Sequence, residues 1–137
     1  MNPVSVDMKD KLVAAGVGVS GDNAGGWSIY IGVEPTRPRQ AITLYDTGGA
    51  HPNYTMNNAL EPQRGETFQV RVRAGDYLTG YNKIEECVKA LAQIGTFVVG
   101  TMNYFNVFQD SDIFFLGKNE SDEYIWTANF KVVREER

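Results

Sequence analysis

The sequence is poor in the residues that build covalently cross-linked or metal-held frameworks. Its 137 residues include one cysteine, Cys87, and one histidine, His51. A single cysteine cannot form an internal disulfide, and one cysteine with one histidine cannot supply a Cys/His zinc set. Disulfide scaffolds and zinc-centred domains are therefore excluded, and we expect no metal or other cofactor.

Positive charge and long apolar runs are also scarce. Thirteen Lys and Arg residues stand against seventeen Asp and Glu residues, for a net charge of −4, so no basic field exists to hold a nucleic acid. The longest apolar stretch, residues 12–19, is interrupted by glycine and is too short to span a membrane. The amino terminus shows no secretory pattern. We expect cytoplasmic assembly, with no membrane partner and no sequence-specific nucleic-acid partner.

What the chain does contain suits one packed domain over residues 1–137. Hydrophobic residues make up 42% of the sequence and aromatic residues 12%, which is ample for a core in a chain of this length. Two helices are predicted. Asn2 as N-cap and Pro3 as first helical residue begin a short helix that ends at Gly16. A long helix over 77–94 has Asp76 as its N-cap and Gly95 beyond its end. Its apolar residues repeat every three or four positions and should face a sheet: Tyr77, Tyr81, Ile84, Val88 and Leu91.

Alternating apolar and polar residues predict a series of strands. These are 27–34, 41–46, 68–73, 97–99, 103–108, 113–116 and 123–133. In the strand over 68–73, Phe68, Val70 and Val72 should face inward, and Gln69, Arg71 and Arg73 outward. Short polar turns favour antiparallel pairing. The predicted fold is α+β, a mostly antiparallel twisted sheet with one long helix packed on a face and a short N-terminal helix, and with loops over 16–26 and 47–65.

Two motifs suggest bound ligands, but the sequence around each lacks what such a site requires. Gly16, Gly18 and Gly21 spell the dinucleotide-binding pattern G-x-G-x-x-G, but a helix is predicted before them and a strand after, the reverse of what that site needs. A calcium loop that began at Asp110 would need glycine at its sixth position and glutamate at its twelfth. Phe115 and Ser121 stand there. Neither a nucleotide nor a calcium ion is predicted.

Candidates for catalysis are few. His51 is the one side chain that ordinarily titrates near neutral pH, and it lies in a predicted loop without an evident nucleophile. Cys87 falls in the middle of the long helix, where a small buried residue is the common interpretation. No catalytic residue is predicted, although a small-molecule enzyme that uses His51 stays as an alternative.

Arginines and aromatics suggest contacts with another molecule. Arg71 and Arg73 share a strand face, which can be a solvated surface, a set of phosphate contacts or part of a subunit interface. Phe114 and Phe115 are adjacent, so they must point to opposite faces of a strand. An exposed aromatic beside a turn often marks a protein contact. The alternative is that the amino-terminal helix covers that face.

Several strings, taken together and in order, resemble the minor capsid or tail terminator family of long-tailed bacteriophages. They are ITLYDTGG at 42–49 followed by Pro52, FQVRVRAGDY at 68–77, the long helix, DIFFLGKNES at 112–121, and WTANFKVVRE at 126–135. The likeness covers most of the chain, and it departs from the family in the glycine-rich loop and over residues 50–65. None of these strings is a catalytic motif.

The resemblance implies a structural virion protein that closes into a homo-oligomeric ring, six-fold by family analogy. Such a ring sits on the last disc of the tail tube protein, stops tube growth, and presents a surface to the head-side connector or head-closure protein. DNA would pass through its lumen without being gripped, as a modest acidic charge allows. The runner-up is a head-closure or neck adaptor that binds the portal complex.

Two segments are expected to make the protein contacts of this ring. In the first, 46–54, Gly48 and Gly49 should adopt positive φ. The second is the turn over 110–122. The candidate interface residues are Asp46, Gly48, Gly49, His51, Tyr54, Arg71, Arg73, Asp112, Phe114, Phe115 and Lys118.

Overall fold

The computed structural model describes residues 2–21, 26–36, 39–49, 53–55 and 58–136, with the backbone alone at 53–55, 58–64 and 136. In these ranges it contains two helices and nine strands. In chain order they are α1 (Val4–Ala14), β1 (Val19–Ser20), β2 (Ser28–Ile31), β3 (Ala41–Gly49), β4 (Asn53–Thr55), β5 (Asn58–Ala74), α2 (Tyr77–Leu91), β6 (Gln93–Val99), β7 (Met102–Gln109), β8 (Phe114–Lys118) and β9 (Tyr124–Glu136).

The nine strands form one mixed sheet in the order β1-β2-β3-β5-β9-β7-β6, with β4 paired to β5 and β8 paired to β9. The pairs β1–β2 and β2–β3 are parallel, and the others are antiparallel. The predicted fold class is therefore wrong. Half of the chain is strand, and the sheet is a curled, mixed half-barrel that carries two helices. Side-chain alternation indicates a strand but not its direction, so the parallel pairs could not be predicted from it.

The core lies between the sheet and the two helices. Phe68 of β5 and Phe130 of β9 stack with ring centroids 5.0 Å apart, and the register pairs these two residues directly. The inward alternation predicted for Phe68, Val70 and Val72 is confirmed, because all three are fully buried. β5 and β9 are thus the central strands of the fold.

α2 begins where the sequence predicts and ends earlier. Asp76 Oδ2 accepts a hydrogen bond from Thr79 N at 3.1 Å, as expected of an N-cap. The helix ends at Leu91 because Ala92 is extended and Gln93 already belongs to β6. Its buried face includes Gly80, where a Cβ would come within 2.8 Å of the Trp126 ring. The helix therefore lies very close to β9.

α1 begins one residue later than predicted. Pro3 is its N-cap, in place of Asn2, and the helix ends at Ala14. Val4, Met8 and Leu12 are fully buried on its inner face, one turn apart as their spacing requires. α1 packs against β2 and β3.

The two predicted loops are wrong in part. The segment 16–26 contains the short strand β1, and the segment 47–65 contains the end of β3, all of β4 and the first half of β5. The β3–β5 register shifts between Asp46 and Gly48. This bulge breaks the period of two on which the strand prediction relied. The predicted strand over 27–34 is also shorter, and Val33 is exposed rather than inward.

Candidate protein interface

The face of the sheet opposite the helices carries a charged and polar group of side chains, which we call the polar face. It comprises Glu34, Thr43, Arg71, Arg73, Glu123 and Thr127. The strand register places Thr43, Arg71 and Thr127 in one row across β3, β5 and β9. Alternation along β5 fixes this arrangement, because residues next to an inward-facing apolar residue must face outward.

Arg73 is held inside this face rather than exposed as predicted. Its side chain is 5% exposed, with Nη1 3.5 Å from Glu34 Oε1 and Nε 3.7 Å from Glu123 Oε2. Arg73 Nε also donates to the backbone carbonyl of Arg39 at 3.2 Å. Glu34, Arg39 and Glu123 therefore hold the guanidinium group of Arg73 inside the polar face. These partners are distant in sequence, so local patterning does not predict the burial.

Arg71 lies beside it and is more open. Its Nη1 is 3.9 Å from Glu34 Oε2, and its guanidinium lies 5.2 Å from the centroid of the Tyr45 ring. Burial is the main cause that raises the pKa of the Tyr45 phenol, and the charge of Glu34 adds to it. Arg71 is therefore only partly available to a neighbouring subunit.

Asp46 has a partner within the chain. Its Oδ1 accepts from Ser5 N at 3.0 Å and its Oδ2 accepts from Ser5 Oγ at 2.6 Å. Ser5 is the second residue of α1, where the backbone N–H has no partner within the helix. Pro3 offers no side-chain cap. Asp46 thus serves as a cap supplied from β3.

Gly48 and Gly49 have positive φ, as predicted. Their φ values are +90° and +136°. A Cβ on Gly49 would lie 2.4 Å from the carbonyl oxygen of Gly65, whereas a Cβ on Gly48 would meet nothing within 4 Å. The two glycines lie at the β3–β5 bulge rather than in a loop. His51 lies outside the described residues, and only the backbone of Tyr54, in β4, is described.

Phe114 and Phe115 point to opposite faces of β8, and both are exposed. Phe114 pairs with Thr127 on the polar face, and Phe115 pairs with Trp126 on the helix face. Phe115 contacts Tyr77 and Trp126, with ring centroids 5.2 Å away in each case.

Phe115 belongs to a larger surface that we call the aromatic cluster, made of Tyr77, Tyr81, Phe115, Tyr124 and Trp126. Trp126 anchors the cluster, because its Nε1 donates to the Tyr77 carbonyl at 3.1 Å. Beside it, Leu78 is 64% exposed. Sequence reasoning missed this surface because the helical spacing assigned the two α2 tyrosines to the buried face. Exposed aromatic groups of this kind favour protein contacts.

The turn after β8 is held by hydrogen bonds to the Asn119 side chain. Asn119 Oδ1 accepts from Ser121 N and from Glu123 N, each at 3.0 Å. Lys118 Nζ lies 3.3 Å from Asp122 and 5.0 Å from the Tyr124 ring centroid, and its hydrogen bond with Asp122 raises the pKa of the ammonium group. Asp112 accepts from Ile113 N at 2.8 Å. In the predicted contact turn, Lys118 therefore lies against Tyr124 of the aromatic cluster.

Comparison with known proteins decides the family. The sequence profile described as bacteriophage tail terminator protein matches residues 11–136, which is most of the chain. The chain belongs to this family. The resemblance seen in the sequence is therefore confirmed, and the chain has a structural role in a phage tail. A search of curated proteins found no match.

A network of buried hydrogen bonds and ion pairs in this tail terminator protein joins α1 to the sheet. Tyr104 donates to Asp7, whose Oδ2 lies 3.7 Å from Arg134 Nη1. Arg134 also holds Glu66 through three contacts of 3.0–3.2 Å and donates to the Asn2 carbonyl at 2.6 Å. Burial raises the pKa of both the Asp7 carboxyl and the Tyr104 phenol. Sequence reasoning missed this network, whose members come from four separate elements.

The thiol, the possible metal ligands and the helices of this tail terminator protein were each considered for a role beyond folding. Cys87 is fully buried, and desolvation raises the pKa of its thiol to about 12. Within the described ranges no three His, Cys, Asp or Glu side chains group as metal ligands. Neither α1 nor α2 is long and apolar enough to cross a lipid bilayer.

The last missed feature is β6, at one end of the sheet. The sequence predicted a strand only over 97–99, whereas β6 runs from Gln93 to Val99. Ile94 is 92% exposed and Val98 is 51% exposed. Asn106, with φ of +61°, accepts a hydrogen bond from Gly95 N at a bulge, and this irregularity hid the first half of the strand from the alternation test.

Proposed function

We propose that this subunit closes into a ring, six-fold by family analogy, on the head-proximal end of the phage tail tube. The ring stops tube polymerisation and offers a surface to the head-side connector. Family membership over residues 11–136 is the observation that carries this proposal. Ring closure needs a heterologous contact, in which two different patches of the same chain meet.

The geometry supplies separate surfaces for such contacts. The aromatic cluster lies at the start of α2 and β9, while exposed apolar residues of β6 lie at the end of the sheet order. Each exposes aromatic or aliphatic side chains. Two unlike exposed patches on one subunit suit a ring better than a two-fold dimer, which joins one patch to itself.

The predicted interface residues divide into three groups under this proposal. Phe114, Phe115, Asp112 and Lys118 are exposed residues in or next to β8, and we assign to them the contact with the tube protein or the connector. Asp46, Gly49 and Arg73 act indirectly, because their partners lie within the chain and hold the strands that carry the surface. His51 and Tyr54 keep their proposed place in the contact segment 46–54.

The proposal assigns no catalysis and no cofactor to the subunit. A net charge of −4 weakens attraction to phosphate, so DNA can pass through the lumen of the ring without being gripped. Assembly would take place in the host cytoplasm, and the finished ring would be part of the virion neck.

The aromatic cluster provides the first test. Leu78→Ser removes an exposed apolar side chain without opening a cavity, so folding should be unchanged. Mixed with tail tube protein, the variant should cap tubes less well than the parent chain, and tubes should grow longer in electron micrographs. Val33→Ser, at an apolar residue that is 73% exposed on the segment before β3, is the matched control and should cap normally.

The runner-up, a head-closure adaptor, makes the opposite prediction for partners. Purified subunit is mixed separately with tail tubes and with connector rings, and co-sedimentation is measured. Binding to tubes with arrest of their growth supports the terminator. Binding to connector rings alone, with tube growth unaffected, supports the adaptor.

A further inference from the structure

β6 is an unprotected sheet edge. It pairs with β7 on one side, and among the described residues no strand pairs with its other side. Proteins usually protect such edges with charge, proline, short length or a cover. The segment QIGTFVV of β6 has seven residues with no charge and no proline. The bulge between Gln93 and Thr96 limits the regular, open part of the edge to Thr96–Val99.

On the side away from the helices, the sheet surface beside this edge carries apolar side chains among the polar side chains of Asn103, Lys131 and Glu135. Thr96 pairs with Phe105, and Phe105 pairs with Val133 of β9. Val98 and Phe108 are about half exposed on the same side. A strand added to β6 would therefore gain backbone hydrogen bonds and would also find apolar neighbours for its alternate side chains.

The same chain carries strands that extend beyond the sheet. The last pair of β5 with β9 is Arg64 with Arg134, and its last pair with β3 is Glu66 with Gly49. Residues Asn58–Gln63 pair with β4 alone among the described strands. We call Asn53–Thr55 and Asn58–Gln63 the β4–β5 arm. At about 3.3 Å per residue, the six residues of Asn58–Gln63 reach about 20 Å past the sheet.

We propose that Asn58–Glu61 of the β4–β5 arm of one subunit, through the side of β5 not paired with β4, adds as a strand to the Thr96–Val99 edge of the next subunit in the ring. This inference rests on the proposed function for the existence of the ring. Each chain has one donor and one acceptor, which is the head-to-tail relation that closes a ring. The reach of the arm exceeds the length of the four-residue edge. Charge does not oppose the contact, because residues 53–63 include one charged residue, Glu61, and Thr96–Val99 include none. Pro62 has no backbone N–H to donate, so the added strand ends before it.

The other free edges among the described strands are poorer partners for β6. β8 pairs with β9 alone, but a register shift after Phe115 and the charged Lys118 interrupt its outer edge. β1 has only two residues, Val19 and Ser20, too few for a stable strand pair. Pairing of β6 with β6 of a second copy would join one patch to itself and give a two-fold dimer, not a ring. The experiment below separates this case from the proposal.

The test uses cysteine cross-linking between full-length chains. Two single variants, Leu60→Cys in the arm and Val98→Cys on the edge, are assembled alone and as an equal mixture, then oxidised. Buried Cys87 does not compete, because its thiol is shielded. The proposal predicts covalent dimers in the mixture and none with either variant alone.

A charge on the edge provides the second measurement. Val98→Lys should shift the assembled species toward monomer by at least tenfold in concentration, with the thermal midpoint unchanged, while Val33→Lys leaves assembly intact. Rings that form normally with Val98→Lys and give no cross-link in the mixture overturn the arm contact but keep the ring. Cross-links with Val98→Cys alone show pairing of β6 with itself and overturn it too. A parent chain that stays monomeric with tail tubes contradicts the proposed function and the arm contact with it.

Discussion

Asp46 of β3 caps helix α1 by accepting hydrogen bonds from both the backbone N–H and the hydroxyl of Ser5, at 3.0 Å and 2.6 Å. The two residues are 41 positions apart, and the contact ties the beginning of the chain to the β3–β5 bulge. An acidic residue near the first turn of a helix also interacts favourably with the helix dipole. Asp46 therefore contributes to stability, whatever the surface beside it binds.

Replacement of Asp46 by alanine should cost about 1 kcal/mol of unfolding free energy, the usual effect of losing a helix cap. Urea unfolding of the parent chain and the variant measures this loss. Asp112→Ala is the control, because Asp112 is exposed and accepts only from Ile113 N. An Asp46→Ala chain with unchanged stability but impaired assembly would place this residue in the interface instead.

The adjacent glycines at the bulge should respond differently to alanine. Gly48→Ala meets open space and suffers only the strain of a positive φ, about 1–2 kcal/mol. Gly49→Ala also drives a Cβ against the Gly65 carbonyl oxygen and the Glu66 backbone, so it should lose more stability and loosen the β3–β5 pair. Thermal unfolding and amide exchange at Thr67 measure both effects. Equal losses would contradict the close approach at Gly49.

The buried Asp7 carboxyl predicts a pH dependence of stability. Burial raises its pKa above the ordinary value of 3.8, although the Tyr104 hydrogen bond and the Arg134 charge act against this. A folded pKa above the unfolded one means that the folded state binds more protons, so this group's contribution falls as pH rises through the folded pKa. The stability advantage of the parent over Asp7→Asn should be largest in acid and smaller at neutral pH.

Urea titrations of both chains from about pH 4 to pH 7 measure that difference. Asp10→Asn, one turn of α1 away, controls for the loss of one negative charge. If the advantage of the parent over Asp7→Asn grew with pH, the carboxylate would be stabilised by Arg134 more than it is penalised by burial.

Cys87 should be unreactive toward thiol reagents in the folded protein. Its thiol is fully buried within α2, and its pKa of about 12 leaves almost no thiolate at neutral pH. A thiol reagent should label the native chain only as fast as it unfolds, and should label it at once in denaturant. Rapid labelling of native protein would mean that α2 leaves the sheet readily.

The central strands and α2 were predictable because local pattern and tertiary burial agree there. Phe68, Val70 and Val72 alternate strictly, and Asp76 begins α2 in both the sequence and the structure. The parallel strands β1 and β2 were not predictable in their direction, because alternation carries no polarity. The end of β3 was hidden because the bulge at Gly48 breaks the period.

The candidate interface was less accessible to sequence reasoning. Phe115 was found because its neighbour Phe114 must take the opposite face. Arg73 was assigned to the surface because alternation places it outward, whereas its contacts with Glu34, Arg39 and Glu123 hold it inside the polar face. Tyr77 was assigned to the core because helical spacing says nothing of where the sheet beneath a helix stops. Such features depend on contacts between distant elements.

The most direct test of the central claim is the mass of the purified subunit in solution, alone and with tail tube protein, by sedimentation velocity or native mass spectrometry. We predict a discrete closed oligomer on tube ends, with a mass of about six times the 15.3 kDa subunit, and arrest of tube growth. A chain that stays at the mass of one subunit under both conditions, while tubes continue to lengthen, would contradict the account.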